Sequence, residues 1–333
     1  MSLPKRLGIT LPIPPDVDAT MARALWAEQR GIDAIWFADA GGADSLTLAA
    51  AIAMKTERIR LGMGIVPVYT RTPALFASTV MTLSHLAPGR IIMGLGSSSH
   101  AMIEGWHGIP FEKPLTRVKE ATQMLRKMLT GERETYQGRT LRSSGFRLAP
   151  PAKGEVPIYL AALRPNMLEM AAEVGDGVVL NSFPVEALPR MMEHMRIGAG
   201  RGGKNLEQME IVNRHHVAVT DDVGAGREQF RAYFTGYFAT PVYNKFLAWF
   251  GYEEAAHSLR EGWREKDRAR TAAAMSDELI DRIAVIGNAD RCRDLVREYL
   301  AEGITTPVIN PISNDPAQIA ATFEAFTPEN FPL

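Results

Sequence analysis

Gly31-Ile32-Asp33-Ala34-Ile35-Trp36-Phe37 is the stretch on which the fold turns. Upstream of it, from Val17, apolar residues at Met21, Ala24 and Leu25 keep the spacing of one helix face. Gly31 stands where a helix-ending glycine belongs, and an apolar run follows at once as a strand. The same order returns along the chain. Gly89 precedes Arg90-Ile91-Ile92-Met93, Gly175 precedes Gly177-Val178-Val179-Leu180, and Gly303 precedes Thr306-Pro307-Val308-Ile309. Residues 7–11, 59–66, 157–160 and 209–219 complete eight strand candidates, most of them followed by a helix. Helix starts carry their own signals: proline in Thr72-Pro73, Arg164-Pro165 and Phe183-Pro184, and the capping residues Asp44 and Asn288. Strands apolar on both faces predict a parallel sheet. Eight repeats of strand then helix predict a closed (β/α)8 TIM barrel of the α/β class. The rival is an open doubly wound sheet, disfavoured because no early glycine fingerprint leads to an acidic ribose-binding residue.

The chain of 333 residues exceeds the roughly 250 of a typical barrel. We expect one barrel domain over 1–333, with the excess in a hairpin-like insertion at 131–155 and a helical one at 237–282. The second holds Tyr237, Tyr243, Phe246, Trp249 and Phe250, a cluster that either covers the barrel mouth as a lid or packs an extra helix. The cluster is followed by the charged run Arg264-Glu265-Lys266-Asp267-Arg268, read as a solvated helix face. The composition, 46% hydrophobic and 23% charged with net charge -1, lacks the cationic field of a nucleic-acid binder and the apolar spans of a membrane protein. A single cysteine, Cys292, is expected as a packed thiol on a helix, and points to a cytoplasmic setting.

In a barrel, chemistry sits at the C-terminal ends of the strands. Asp39, after the second strand, is placed to hydrogen-bond a substrate or cofactor, or merely to order its loop. Gly62 and Gly64 in the third strand predict a bulge or the close approach of something flat. After the fourth strand, Gly96-Ser97-Ser98-Ser99 offers N–H and O–H donors suited to an anion, though such a turn is often only a turn. Ala161-Ala162-Leu163-Arg164-Pro165-Asn166 leads into a helix N-terminus with a similar preference. His107, beside Trp106 in the loop after the fourth strand, is either a proton donor or a loop histidine holding carbonyls. In Arg214-His215-His216, strand alternation sends one histidine inward and the other outward. No HxH or HExxH spacing occurs, so no metal site is expected.

These segments resemble the luciferase-like monooxygenase superfamily, within it the branch that uses the deazaflavin coenzyme F420. The resemblance is carried by Gly64-Ile65-Val66-Pro67-Val68-Tyr69-Thr70-Arg71-Thr72-Pro73, by Gly94-Leu95-Gly96 with Glu104-Gly105-Trp106-His107-Gly108-Ile109-Pro110-Phe111, and by Gly145-Phe146-Arg147-Leu148-Ala149-Pro150-Pro151. It extends through Pro157-Ile158-Tyr159-Leu160-Ala161-Ala162-Leu163 to Pro241-Val242-Tyr243-Asn244 and is similar to methylenetetrahydromethanopterin reductases. It implies a cofactor ring at the C-terminal mouth, backed by a cis peptide at Gly64–Ile65, with Val66 and Gly96 beside it. The cofactor phosphate and tail would lie near Ser97, Ser98 and the 161–166 turn. A homodimer is implied through helices beside the second and third strands.

The chain departs from sugar-phosphate dehydrogenases of that branch, which carry a histidine after the strand-two aspartate where Ala40 stands here. Ser99 takes the place of their acidic residue, and His216 that of a lysine. The expected activity is therefore F420-dependent hydride transfer with a small organic substrate (an imine, carbonyl or activated alkene). Asp39, His107 and His216 are the candidates for protonation or polarisation, and Tyr69, Trp106 and Tyr243 the substrate-side aromatics. The alternatives are an FMN-dependent monooxygenase fed by a partner reductase, and a catalytically silent flavin-binding barrel.

Overall fold

The computed structural model describes residues 3–39 and 41–333. Among them, eight parallel strands follow one another around a ring: β1 (Gly8–Leu11), β2 (Ala34–Phe37), β3 (Arg60–Met63), β4 (Ile91–Gly96), β5 (Ile158–Ala161), β6 (Gly177–Asn181), β7 (Glu210–Val219) and β8 (Thr306–Pro311). Pairing of Gly8 with Ala34 on one side and Val308 on the other closes it. The closure fits the TIM barrel and excludes an open sheet. Helices fill the connections, started as the sequence suggests: Asp44 and Asn288 accept from the backbone N–H groups of Thr47 and Arg291, and Pro73 and Pro165 open their helices. Gly31, Gly89 and Gly303 have positive φ, the conformation that favours glycine there. Gly175 does not; a Cβ there would lie 2.7 Å from the Ala171 carbonyl oxygen, so space rather than dihedral freedom selects it.

The barrel interior holds Ala34, Trp36, Ile92, Tyr159, Val179, Val212 and Val308. A Cβ at Gly62 would approach the Trp36 ring to 2.7 Å, and one at Gly8 to 2.8 Å. The flat group that Gly62 admits is thus the chain's own indole. At the N-terminal end, buried Glu210 accepts from Arg60 at 2.8 and 3.1 Å, from the Tyr159 hydroxyl at 2.6 Å and from Thr306 at 2.5 Å. Burial works against its charge, but Arg60, Thr306 and Tyr159 outweigh that and hold the carboxyl below its ordinary range. This network plugs the bottom and leaves the opposite end for chemistry.

Three local differences from the sequence reading arise from packing. The third strand is not continuous: β3 ends at Met63, and Val66–Pro67 resumes as a short piece paired with Leu95 and Gly96. The loop after β4 winds into a π-helical turn, Ala101–Trp106, around buried Ile103. The charged run 264–268 is a junction between two helices rather than one face: Glu265 ends the first, Lys266 is left-handed, and Asp267 caps the second. An antiparallel hairpin, Glu134–Gln137 with Arg142–Phe146, lies within 131–155, and helices fill most of 237–282. Cys292 is fully buried in the helix Ala289–Ala301, and burial pushes its thiol up to about 12.

Candidate active site at the barrel mouth

The break in the third strand builds one wall of the mouth. Gly64 donates its N–H to the Phe37 carbonyl at 2.7 Å, and the Gly64–Ile65 peptide is cis. The displaced backbone needs room, and glycines on β4 supply it. A Cβ at Gly94 would sit 1.7 Å from the Met63 carbonyl oxygen, and one at Gly96 would sit 2.8 Å from Ile65 and 3.1 Å from Ala161. Gly64, Gly96 and Ala161 thus bring little side chain to this wall, and the Ile65 side chain packs into the space left at Gly96. Val66 and Ala162 are buried and support this wall from behind. Ser97 and Ser98 come next in the chain; Ser98 is left-handed (φ 62), and its hydroxyl donates to the Met102 sulfur at 3.2 Å. Leu163 continues the turn into Arg164, which is extended, and the helix Pro165–Val174 starts with no side-chain cap. The early N–H groups of that helix, Asn166 included, are therefore open to an anionic ligand.

Asp39 and Arg71 face each other at the edge, 3.2 Å apart, and Arg71 also pairs with Asp44. Burial would raise the Asp44 carboxyl, but hydrogen bonds from Thr47 and the Arg71 charge hold it below its ordinary range. Arg71 is thereby shared between two carboxylates and is no free cation. Ala40 lies outside the described residues. Tyr69 is buried, donates to the Glu112 carbonyl at 2.7 Å and lies under Arg117, 4.6 Å from guanidinium to ring. Its hydroxyl holds the 107–113 segment. Trp106 is 60% exposed and covers Gly41, while His107 is exposed beside it.

The opposite wall comes from β6, β7, β8 and the second insertion. On β7, Arg214 and His216 share the inward face with Val212, and His215 turns outward onto Tyr299 with ring centroids 4.7 Å apart. His216 is buried, and both its nitrogens are engaged: Nε2 with Asn181 Oδ1 at 3.1 Å, and Nδ1 with Asn310 Nδ2 at 2.8 Å. The amide orientations assign an Nε2–H tautomer. Burial, then the charge of Arg214, pushes its pKa well below the ordinary value, so the ring is neutral near pH 7. Asn310 Oδ1 accepts from Arg214 Nη2 at 3.0 Å. Asn181 Nδ2 donates to Tyr237 at 3.2 Å and Tyr243 at 3.0 Å, whose hydroxyls are 2.5 Å from each other. Burial raises both phenols, and Arg214 opposes the rise. The insertion therefore anchors Tyr237 and Tyr243 at the mouth. Its other aromatics secure the helix behind them: Phe246 packs on Trp249 and Phe250, and Arg190 lies 4.2 Å from the Trp249 ring centroid.

The structure thus gathers Asp39, Gly64, Ile65, Gly96, Ser97, Ser98, His216 and Tyr243 around one end of the barrel and puts Tyr69 and His107 to its side. Arg214, Asn181 and Asn310 also belong to this end, and the sequence reading does not single them out as site residues. The signal for Arg214 was present, since the two-residue period that sends His216 inward sends Arg214 with it. Among the described residues, no group of three or more His, Cys, Asp or Glu side chains is placed to hold a metal ion. No described helix is long and apolar enough to cross a membrane.

Comparison with known proteins agrees with this geometry. The chain is 31% identical to a Mycobacterium tuberculosis protein named as a coenzyme F420-dependent oxidoreductase, covering 93% of this chain and 94% of that one. It is 29% identical to the 5,10-methylenetetrahydromethanopterin reductase of Methanolobus tindarius, covering 84% and 86%. In fold it matches the coenzyme F420-dependent tetrahydromethanopterin reductase of Methanopyrus kandleri with a TM-score of 0.81, at 22% identity and 98% coverage of both chains. An FMN-bound oxygenating constituent of 3,6-diketocamphane monooxygenase from Pseudomonas putida superposes with a TM-score of 0.72, at 18% identity and 99% coverage of both. Residues 1–306 match the family described as luciferase-like monooxygenase. A closed barrel with its third strand broken against two glycines, and a sequence match over most of its length, place the chain in the luciferase-like monooxygenase family.

Proposed function

We propose that this protein is an F420-dependent oxidoreductase acting on a small organic substrate with an electrophilic carbon, an imine, carbonyl or activated alkene. The observation that carries the reading is the wall at the mouth to which Gly64, Gly96 and Ala161 bring little side chain, beside the uncapped N-terminus of the helix Pro165–Val174. The relatives named for F420 favour that cofactor over FMN. When bound, the deazaflavin supplies the hydride at its C5 position. The chain's residues hold the ring against the wall, orient the substrate and move the proton that balances the hydride.

Tyr237 is the best-placed source of that proton. Two phenolic protons serve the one hydrogen bond between Tyr237 and Tyr243, and Asn181 donates to both oxygens. As placed, Tyr237 donates to Tyr243; when the two hydroxyls exchange roles and Tyr243 donates, the proton left over is on Tyr237, which, 36% exposed against 9% for Tyr243, offers it to a ligand. His216 is a positioning residue in this scheme, because both ring nitrogens are committed to Asn181 and Asn310. Asp39, paired with Arg71, serves as an acceptor that orients substrate, and His107 is the solvent-side alternative donor. A homodimer through the helix Ser45–Ala53 and its neighbour Pro73–Leu86 fits the exposure of Met54 and Leu75.

Side-by-side titration with F420 and FMN tests the reading. Saturable F420 binding, followed by substrate-dependent change in the deazaflavin absorbance, is expected. Tight FMN uptake with no F420 binding would transfer the protein to the monooxygenases that need a partner reductase. F420 binding without turnover on any acceptor would leave a silent binding barrel.

A further inference from the structure

Arg214 is a cation built into the mouth without a counter-charge. Among the described residues its guanidinium has one side-chain partner, the neutral Asn310 at 3.0 Å, and its Nε is buried with no hydrogen-bond partner. The charged arginine beside the wall, Arg71, is by contrast shared between two carboxylates. The groups whose charge bears on Arg214 are the phenols of Tyr237 and Tyr243, which are neutral near pH 7. Desolvating a guanidinium is costly unless something compensates its charge, and a site that leaves it bare is suited to a ligand that brings the charge with it. Arginine's planar fork matches a carboxylate in two parallel hydrogen bonds, and Nε is one of the donors used in that arrangement. The surroundings beyond the charge are aromatic: Phe234 lies 4.2 Å, centroid to centroid, from His216, and the Tyr237 and Tyr243 rings lie 4.0 Å apart, tilted against each other.

We propose that Arg214 receives the carboxylate of an aromatic or otherwise apolar organic acid, so that the substrate of this barrel is an anion and not a neutral carbonyl compound. This rests on the reading of the mouth as the substrate side. It is tested without turnover, so that it can fail while F420 dependence stands.

Benzoate and its neutral analogue benzamide are titrated calorimetrically into the cofactor-free protein. Benzoate is expected to bind at least tenfold more tightly than benzamide. Arg214→Gln, which keeps a donor for Asn310 but removes the charge, should abolish that preference, and Arg214→Lys should keep part of it. The ligand-free Arg214→Gln protein should melt no lower than the parent, since the charge removed has no partner; a purely structural arginine would give a lower melting temperature. F420 affinity, measured on the same variants, should be unchanged. Equal binding of benzoate and benzamide overturns the proposal, as does a preference that survives Arg214→Gln. A tenfold loss of F420 affinity in Arg214→Gln also overturns it, by assigning the arginine to the cofactor.

Discussion

Gly94 lies so close to Met63 that a Cβ on the glycine would sit 1.7 Å from the Met63 carbonyl oxygen. The obstacle is backbone, and no rotamer change relieves it. Gly94→Ala should therefore push the third strand away from β4, costing about 1–3 kcal/mol or more in stability and weakening cofactor binding together. Gly105→Ala, where nothing lies within 4 Å, is the control and should leave both unchanged. Thermal melts and F420 titrations of the two variants check this.

Glu210 should be the chief electrostatic determinant at the closed end. Replacing Arg60 by Met leaves the buried carboxylate with Arg6, at 3.4 Å, as its remaining cation, and about 3 kcal/mol of stability should be lost at pH 7. Because the folded carboxyl titrates below its ordinary value of 4.5, its contribution is fully present above that pH and disappears as pH falls through the lower folded value. Glu210→Gln should accordingly be less stable at neutral pH and show a flatter acid limb. Denaturant melts from pH 7 downward report both effects.

His215 and His216 give a second, separate pH signature. Burial lowers His215 to about 3 and puts His216 well below 6.5 as well. Below pH 6.5 the unfolded chain takes up protons that the folded one refuses, so stability falls as pH drops. Each histidine contributes roughly 1.4 kcal/mol per pH unit until its folded pKa is reached. His215→Phe, which keeps a ring against Tyr299, should remove about one proton's worth of that slope between pH 6 and 4. An unchanged slope would show that His215 is already protonated in the fold.

Tyr237→Phe should separate binding from chemistry. It leaves Asn181 and Tyr243 in contact and removes the uncommitted proton, so F420 binding should persist while hydride transfer slows by about 10²-fold or more. Asp39→Asn and His107→Gln, assayed over the same panel of imine, carbonyl and enone acceptors, rank the competing donors. If either slows transfer more than Tyr237→Phe, the proton comes from that residue instead.

How much was legible in advance depended on whether a residue's role was set by its neighbours in the chain. Asp44 and Asn288 are caps because each meets a backbone N–H three residues further along, and the strands around Trp36, Ile92 and Val179 announced themselves by runs apolar on both faces. The site was only half visible. Gly62 and Gly64 looked alike in the sequence, yet Gly62 makes room for Trp36 from β2, and Gly64 opens the cis peptide at the mouth. Nothing local to Arg71 shows that Asp39 and Asp44, 32 and 27 residues away, both pair with it. His216 looked like a proton donor until Asn181 and Asn310, 35 and 94 residues away, occupied both its nitrogens.

By itself, then, the sequence determined the strand–helix repeat, the helix ends and the inward or outward sense of each strand residue, because periodicity and capping act over a few bonds. Only the tertiary structure decided which charges are paired and which protons are free. Those depend on distances between groups far apart in the chain, and ring closure is what brings β6, β7 and β8 together around Arg214.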